Sequence, residues 1–159
     1  MRESVFSILG PLEGRSFLDG CSGSGVLALE AHSRGASPVV CVERDRSKGP
    51  VLLRNLAIAS ERIQCHFVPA ERFIARSTRS YSIVFLDPPF PYAHKPELVM
   101  AAATAGLVEE GGLLLIHHPA EDALPDRCGI LSVVDVRAYG RSTVTFYRPV
   151  SDQPAGEGA

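Results

Sequence analysis

Three groups of residues in this chain carry side chains that could do chemistry. The first is Asp87-Pro88-Pro89-Phe90, followed by Tyr92, which comes where an apolar run ends. Proline lacks a backbone N–H and has a fixed φ, so two in succession stop sheet pairing and hold a stiff turn. The residue ahead of a proline, here Asp87, is steered into an extended conformation. Such a turn offers a carboxylate and a free carbonyl to the hydrogens of a planar amine, with an aromatic ring to stack on its face. The second group is Asp19 with Gly20, Gly23 and Gly25, where the backbone can come close to a ligand and turn into a helix. The third is Glu43, an acidic residue at a strand end, where it can accept ribose hydroxyls.

The glycines run G-x-x-G-x-G, an order that departs from the dinucleotide fingerprint, and no Lys-Ser/Thr follows them as in a P-loop. Asp19 directly before the loop would repel a pyrophosphate and suits an ammonium. A ligand with an amino group and a ribose but no phosphate fits the set, which points to S-adenosylmethionine.

These groups need elements to position them. Apolar runs at Ser16–Asp19, Val39–Glu43, Ile63–Val68, Tyr81–Leu86 and Leu113–His117 read as strands. Helical patterns alternate with them: Val26 to Arg34, Val51 to Ala59, Glu71 to Ala75 and Pro96 to Ala105. Gly49-Pro50 interrupts the start of the second of these, and Glu110-Gly111-Gly112 reads as a turn. Ahead of them all, an amphipathic helix carries Val5, Phe6 and Leu9 on one side. Leu131–Arg137 and Thr143–Tyr147 read as a hairpin closed through Tyr139-Gly140-Arg141. The pattern predicts an α/β fold: a mostly parallel sheet with helices on both faces and an antiparallel C-terminal pair. Ligands of such sheets bind beyond the carboxyl ends of the strands. All three chemical groups lie at that rim.

The chain has 159 residues, with 45% hydrophobic and 21% charged side chains and a formal charge of −2. That fits one domain over residues 1–150, with a polar, Pro- and Gly-containing tail from 151 to 159 expected to be disordered. No apolar run approaches the roughly 20 residues that span a bilayer, and the amino terminus lacks the pattern of a signal peptide. The net charge argues against binding nucleic acid by bulk electrostatics, while Arg72, Arg76 and Arg79 could form a local basic face or a solvated helix face. Of the four cysteines, Cys21, Cys41 and Cys65 lie on or beside strand-like runs, and no Cys-x-x-Cys occurs. Reduced thiols in a cytoplasmic protein are expected, with no metal site. Adjacent His117 and His118 on a strand face opposite sides and would not share a metal.

Taken in order, Leu18-Asp19, Gly23-Ser24-Gly25, Leu29-Glu30-Ala31, Ser33-Arg34-Gly35-Ala36, Val42-Glu43, Asn55-Leu56 and Phe85-Leu86-Asp87-Pro88-Pro89-Phe90 resemble the RsmD family of ribosomal RNA guanine-N2 methyltransferases. Arg2-Glu3 with Phe6 is similar to that family's first helix, and Tyr139-Gly140 with Thr145-Phe146-Tyr147 to its last hairpin. The resemblance spans Arg2 to Arg148. It implies a Rossmann-like class I methyltransferase fold with seven strands, acting as a monomer on one guanine N2 of small-subunit (16S) ribosomal RNA or its assembly particle.

Carried over, the cofactor S-adenosylmethionine would be held by Asp19, Ser22, Gly23, Ser24, Gly25, Glu43, Arg44, Ala70 and Asp87. Asp87, the Pro88 carbonyl and Phe90 would act on the guanine amine, with Pro89, Tyr92 and Arg2 on the substrate side. Three departures stand out. The family's basic segment ahead of Arg2-Glu3 is absent. Pro69-Ala70 replaces an Asp-Ala that meets the adenine, and His117-His118 replaces a glutamate and histidine. The turn alone accepts any planar amine, so DNA adenine or protein glutamine are alternative acceptors. A cofactor-binding, RNA-associated module with weak turnover is another.

Overall fold

The computed structural model describes residues 1–150; the expected tail lies outside the described residues. Five strands form a parallel array: β1 (Phe17–Asp19), β2 (Val39–Val42), β3 (Gln64–His66), β4 (Tyr81–Leu86) and β5 (Val108–Pro119). Three more are antiparallel: β6 (Arg127–Cys128), β7 (Leu131–Tyr139) and β8 (Ser142–Pro149). The sheet order is β3-β2-β1-β4-β5-β8-β7-β6. Eight strands therefore replace the seven expected. The extra one, β6, is two residues long, too short for a periodicity to register.

Helices α1 (Arg2–Leu9), α2 (Val26–Ser33) and α3 (Gly49–Leu56) cover one face, and α4 (Ala70–Arg76) and α5 (Lys95–Thr104) the other. Strand alternation sorts the core between them. Phe17, Cys41, Ile83, Phe85 and Leu115 pack with Val5, Phe6, Leu27 and Leu52. Leu18, Val40, Val84, Leu86 and Leu114 pack with Ile74, Leu98 and Val99. Both sides of the central strands are buried, which is why they read as continuous apolar runs. The first helix buries Val5, Phe6 and Leu9, as its pattern predicted.

Three local expectations are corrected. Gly49-Pro50 is the first turn of α3, because a proline fits at a helix start where its missing N–H has no intrahelical partner. The helix also ends at Leu56, before Ala59. Likewise Glu110-Gly111-Gly112 lies inside β5. Val108 pairs with Tyr81 and Leu113 with Ile83, so residues 109–112 bulge out against Ser82. Gly111, at φ 81°, supplies the left-handed residue, and a Cβ on Gly112 would sit 2.6 Å from the Ser82 carbonyl.

β1 lies between β2 and β4, so successive connections leave it in opposite directions. That switch point opens a crevice above the carboxyl ends of β1 and β4. Among the described residues, no helix is long and apolar enough to cross a membrane.

Candidate active site

The crevice holds a cavity of about 800 Å³. Most of its wall comes from three rim segments, the loop after β1, the loop after β2 and the Asp87 turn after β4, and the starts of α1 and α4, Leu98 of α5 and His117 of β5 add to it. Ser22, Gly23, Ser24, Glu43, Arg44, Ala70, Asp87, Pro88, Pro89, Phe90, Tyr92 and Arg2 all line it, so nearly every site residue expected from the sequence converges there. Asp19 and Gly25 are the two that do not form the wall. Asp19 lies buried at the end of β1, and Gly25 starts α2 at φ 85°.

The glycine loop is held from several directions. Ser22 N–H donates to the Val42 carbonyl (2.9 Å), and Ser22 Oγ donates to the Asp19 carbonyl (3.0 Å). Asn55 Nδ2, on α3, donates to the Ser24 carbonyl (2.7 Å). At Gly25 a Cβ would meet Leu52 Cδ1 at 2.8 Å, so this glycine answers both to its φ and to the packing of α2 on α3. Glu43 binds the loops together: Oε1 accepts from Gly23 N–H (2.8 Å) and Oε2 from Asp45 N–H (2.7 Å). Each oxygen keeps a further lone pair for a ligand hydroxyl.

Asp19 is the electrostatic anomaly of the site. It is 0% exposed, and neither carboxylate oxygen has a partner in hydrogen-bond geometry, although the Ser22 hydroxyl and the Cys21 backbone N–H lie near enough to offset part of the burial. Burial pushes its pKa up to about 7, with the charge of Asp87 adding to the effect. An orphan carboxylate beside a cavity costs stability unless a donor arrives. A ligand ammonium is such a donor, so the residues present fit S-adenosylmethionine. At the neighbouring Cys21, burial pushes the thiol up to about 12, which favours the protonated form. All four cysteines are free.

On the acceptor side, Gly20 N–H donates to the Phe85 carbonyl (2.9 Å) and extends the β1–β4 contact up to the turn. The turn closes through Tyr92 N–H to the Pro89 carbonyl (2.9 Å), and Tyr92 Oη donates to Glu71 on the opposite lip. Phe90 is 45% exposed at the mouth. Ala70 lines the cavity as the first residue of α4, and no side chain caps that helix. Arg72 and Phe73 N–H both donate to the Pro69 carbonyl (3.1 Å each), which leaves the N–H groups of Ala70 and Glu71 at the open start of the helix.

Two residues outside the expected site belong to it. Lys95, 2% exposed, donates through Nζ to the carbonyls of Phe90 (2.8 Å) and Tyr92 (2.7 Å) and pairs with Asp122 (2.8 Å). The available signal was a lysine in the first turn of a helix, where the macrodipole disfavours a cation. His117 lines the cavity, its Nδ1 3.0 Å from Asp87 Oδ1. The pairing of Leu86 with Ile116 sets the next residues, Asp87 and His117, side by side. His118 goes elsewhere, bonding the Pro119 carbonyl and Thr145 Oγ1, both at 2.8 Å. Among the described residues no group of three or more His, Cys, Asp or Glu could hold a metal ion.

The RsmD family, described as Conserved hypothetical protein 95, matches residues 1–148. The chain belongs to this family. It is 30% identical over 154 residues to YlbH of Bacillus subtilis (strain 168), covering 93% of this chain and 84% of that protein. It is 32% identical over 127 residues to the ribosomal RNA small subunit methyltransferase D of Escherichia coli (strain K12), covering 79% of this chain and 64% of that one. Among solved structures, a conserved hypothetical protein of Streptococcus pyogenes superposes with a TM-score of 0.85 at 32% identity, covering 92% of this chain and 94% of that one.

Proposed function

We propose that the chain transfers a methyl group from S-adenosylmethionine to the exocyclic N2 of a guanine in small-subunit ribosomal RNA, free or in an assembly particle. The observation that carries this reading is that the Gly20–Ser24 loop, Glu43 and the Asp87-Pro88-Pro89-Phe90 turn line one cavity at the β1/β4 switch point, with the buried Asp19 directly before that loop. The name of the Escherichia coli relative supports the choice of RNA. The protein works in this reading as a cytoplasmic monomer.

When bound, S-adenosylmethionine supplies an electrophilic methyl on a sulfonium. Asp19 takes the ligand ammonium, Glu43 the ribose hydroxyls, and the backbone at Ala70 the adenine. Arg2 and Arg44, exposed at the rim, meet RNA phosphate and the cofactor's outer edge. A guanine turned out of its stack lies on Phe90. Asp87 and the Pro88 carbonyl accept its two amine hydrogens, which favours a pyramidal nitrogen with its lone pair toward the methyl. The cofactor would give up its methyl and keep the C–S electron pair on sulfur, and Asp87 would pass one amine proton of the acceptor to solvent. The rate enhancement comes from positioning and from fixed dipoles more than from a strong base.

Calorimetry with S-adenosylmethionine, followed by methyl transfer to small-subunit particles lacking the modification, tests the reading. Binding followed by label in a guanine is expected; no binding, or label only in DNA adenine or protein glutamine, would sink it. Asp87→Ala should lower transfer about 10²–10³-fold while cofactor affinity stays within several-fold. Unchanged turnover removes the role given to that carboxylate.

A further inference from the structure

His117 does more than hold Asp87 in place. A contact of 3.0 Å between its Nδ1 and Asp87 Oδ1 needs a proton between them, and the carboxylate is an acceptor. Nδ1 therefore carries the hydrogen, and in the neutral ring Nε2 is left as a bare lone pair. That Nε2 is buried and has no hydrogen-bond partner. The ring lines the same cavity as Asp87, Pro88 and Phe90, and Phe90 packs edge-on against it with centroids 5.2 Å apart. A base stacked on Phe90 lies beside the imidazole. A buried acceptor without a donor is costly, and a ligand that brings an N–H to Nε2 relieves that cost.

The chemistry of the bases makes this selective. Next to its amine, guanine has a ring N–H, N1. Adenine and cytosine have a bare ring nitrogen beside theirs. Resting on the function proposed above, we infer that His117 is a specificity-determining residue. Its Nε2 accepts the N1–H of guanine while Asp87 and the Pro88 carbonyl hold the neighbouring amine. A base with a ring acceptor in that place would set two lone pairs against each other. The two donors on that edge of guanine are thus read by two acceptors tied together through the Asp87–His117 hydrogen bond.

The test uses the full chain and the guanine it modifies in small-subunit ribosomal RNA. That position is placed in a synthetic RNA hairpin either as guanine or as 2,6-diaminopurine, which keeps the 2-amino group but has a bare N1. The wild-type chain should prefer guanine by about 10- to 100-fold in kcat/KM. In His117→Leu the preference should fall to within about threefold, through loss on guanine. His117→Gln, which offers both an N–H and a carbonyl, should restore part of it. S-adenosylmethionine affinity by calorimetry should be held in both variants, a result that separates specificity from collapse of the site. A preference undiminished in His117→Leu, or a wild-type chain indifferent to the two bases, overturns the inference and leaves the methyltransferase reading standing. A wild-type chain that binds the cofactor and labels neither base overturns both.

Discussion

At the scale of single residues, the site is built from carboxylates with opposite circumstances. Both Glu43 oxygens are occupied by backbone N–H groups, whereas neither Asp19 oxygen has a partner in hydrogen-bond geometry. For Asp19 the consequence depends on pH. Its pKa rises from 3.8 to about 7 on folding, so the folded state holds the proton more tightly than the unfolded chain. Its contribution to stability is complete below about pH 4 and is lost as pH rises through about 7. Asp19→Asn should therefore gain stability relative to wild type between pH 5 and pH 8, by about 2–4 kcal/mol. The same variant should lose most cofactor binding, since an amide carries no charge to pair with an ammonium and turns N–H donors as well as an oxygen toward it. Thermal melts across that range check the first part and calorimetry the second. A wild-type advantage that grows with pH would contradict the proposed burial cost.

At the scale of elements, the turn after β4 depends on what reaches it from α5 and from the segment after β5. Lys95 joins them, with two carbonyls of the turn and the Asp122 carboxylate on one ammonium. Lys95→Met leaves those acceptors unpaired. Because Asp122 is partly solvated, the expected cost is about 2–3 kcal/mol, below that of breaking a fully buried pair. Transfer should fall by at least about tenfold through kcat, because the Phe90 platform and the amine acceptors lose their fixed positions. Cofactor affinity should change little, as Asp19 and the glycine loop sit on other elements. Denaturant unfolding and single-turnover kinetics check this. A variant that loses stability without losing kcat would show Lys95 to be structural only.

At the scale of the whole molecule, buried polar atoms without partners stand at both halves of the site, Asp19 behind the glycine loop and His117 beside the Asp87 turn. Ligand binding should therefore be a substantial part of its stability. S-adenosylmethionine at 100 times its Kd should add about 2.7 kcal/mol, which for a chain of this size raises the melting temperature by roughly 5–10 °C. The shift should vanish in Asp19→Asn. The final hairpin also reaches back to the beginning of the chain, with Tyr139 Oη 2.8 Å from Ser4 Oγ, which anchors α1 where Met1 and Arg2 border the cavity.

Much of this was legible in the residues in order. Alternating apolar runs and helical patterns specify the parallel sheet, since side-chain burial on both faces leaves a continuous signal. Asp19, the glycines, Glu43 and the Asp87 turn could be placed on one rim because each directly follows a strand, and strand direction in a parallel sheet sends every such end to the same side. What residue order could not supply is register, and with it the partners made across strands. That His117 stands beside Asp87 follows from Leu86 pairing with Ile116, a choice made by the bulge at Gly111 and Gly112. That Lys95 is buried under the turn follows from α5 packing on the sheet. These depend on contacts between distant segments, which no local pattern encodes. Sequence alone therefore determined the turn that could grip a planar amine. Only the tertiary structure decided what stands behind that turn, because strand pairing and helix packing bring an imidazole and an ammonium to the Asp87 turn.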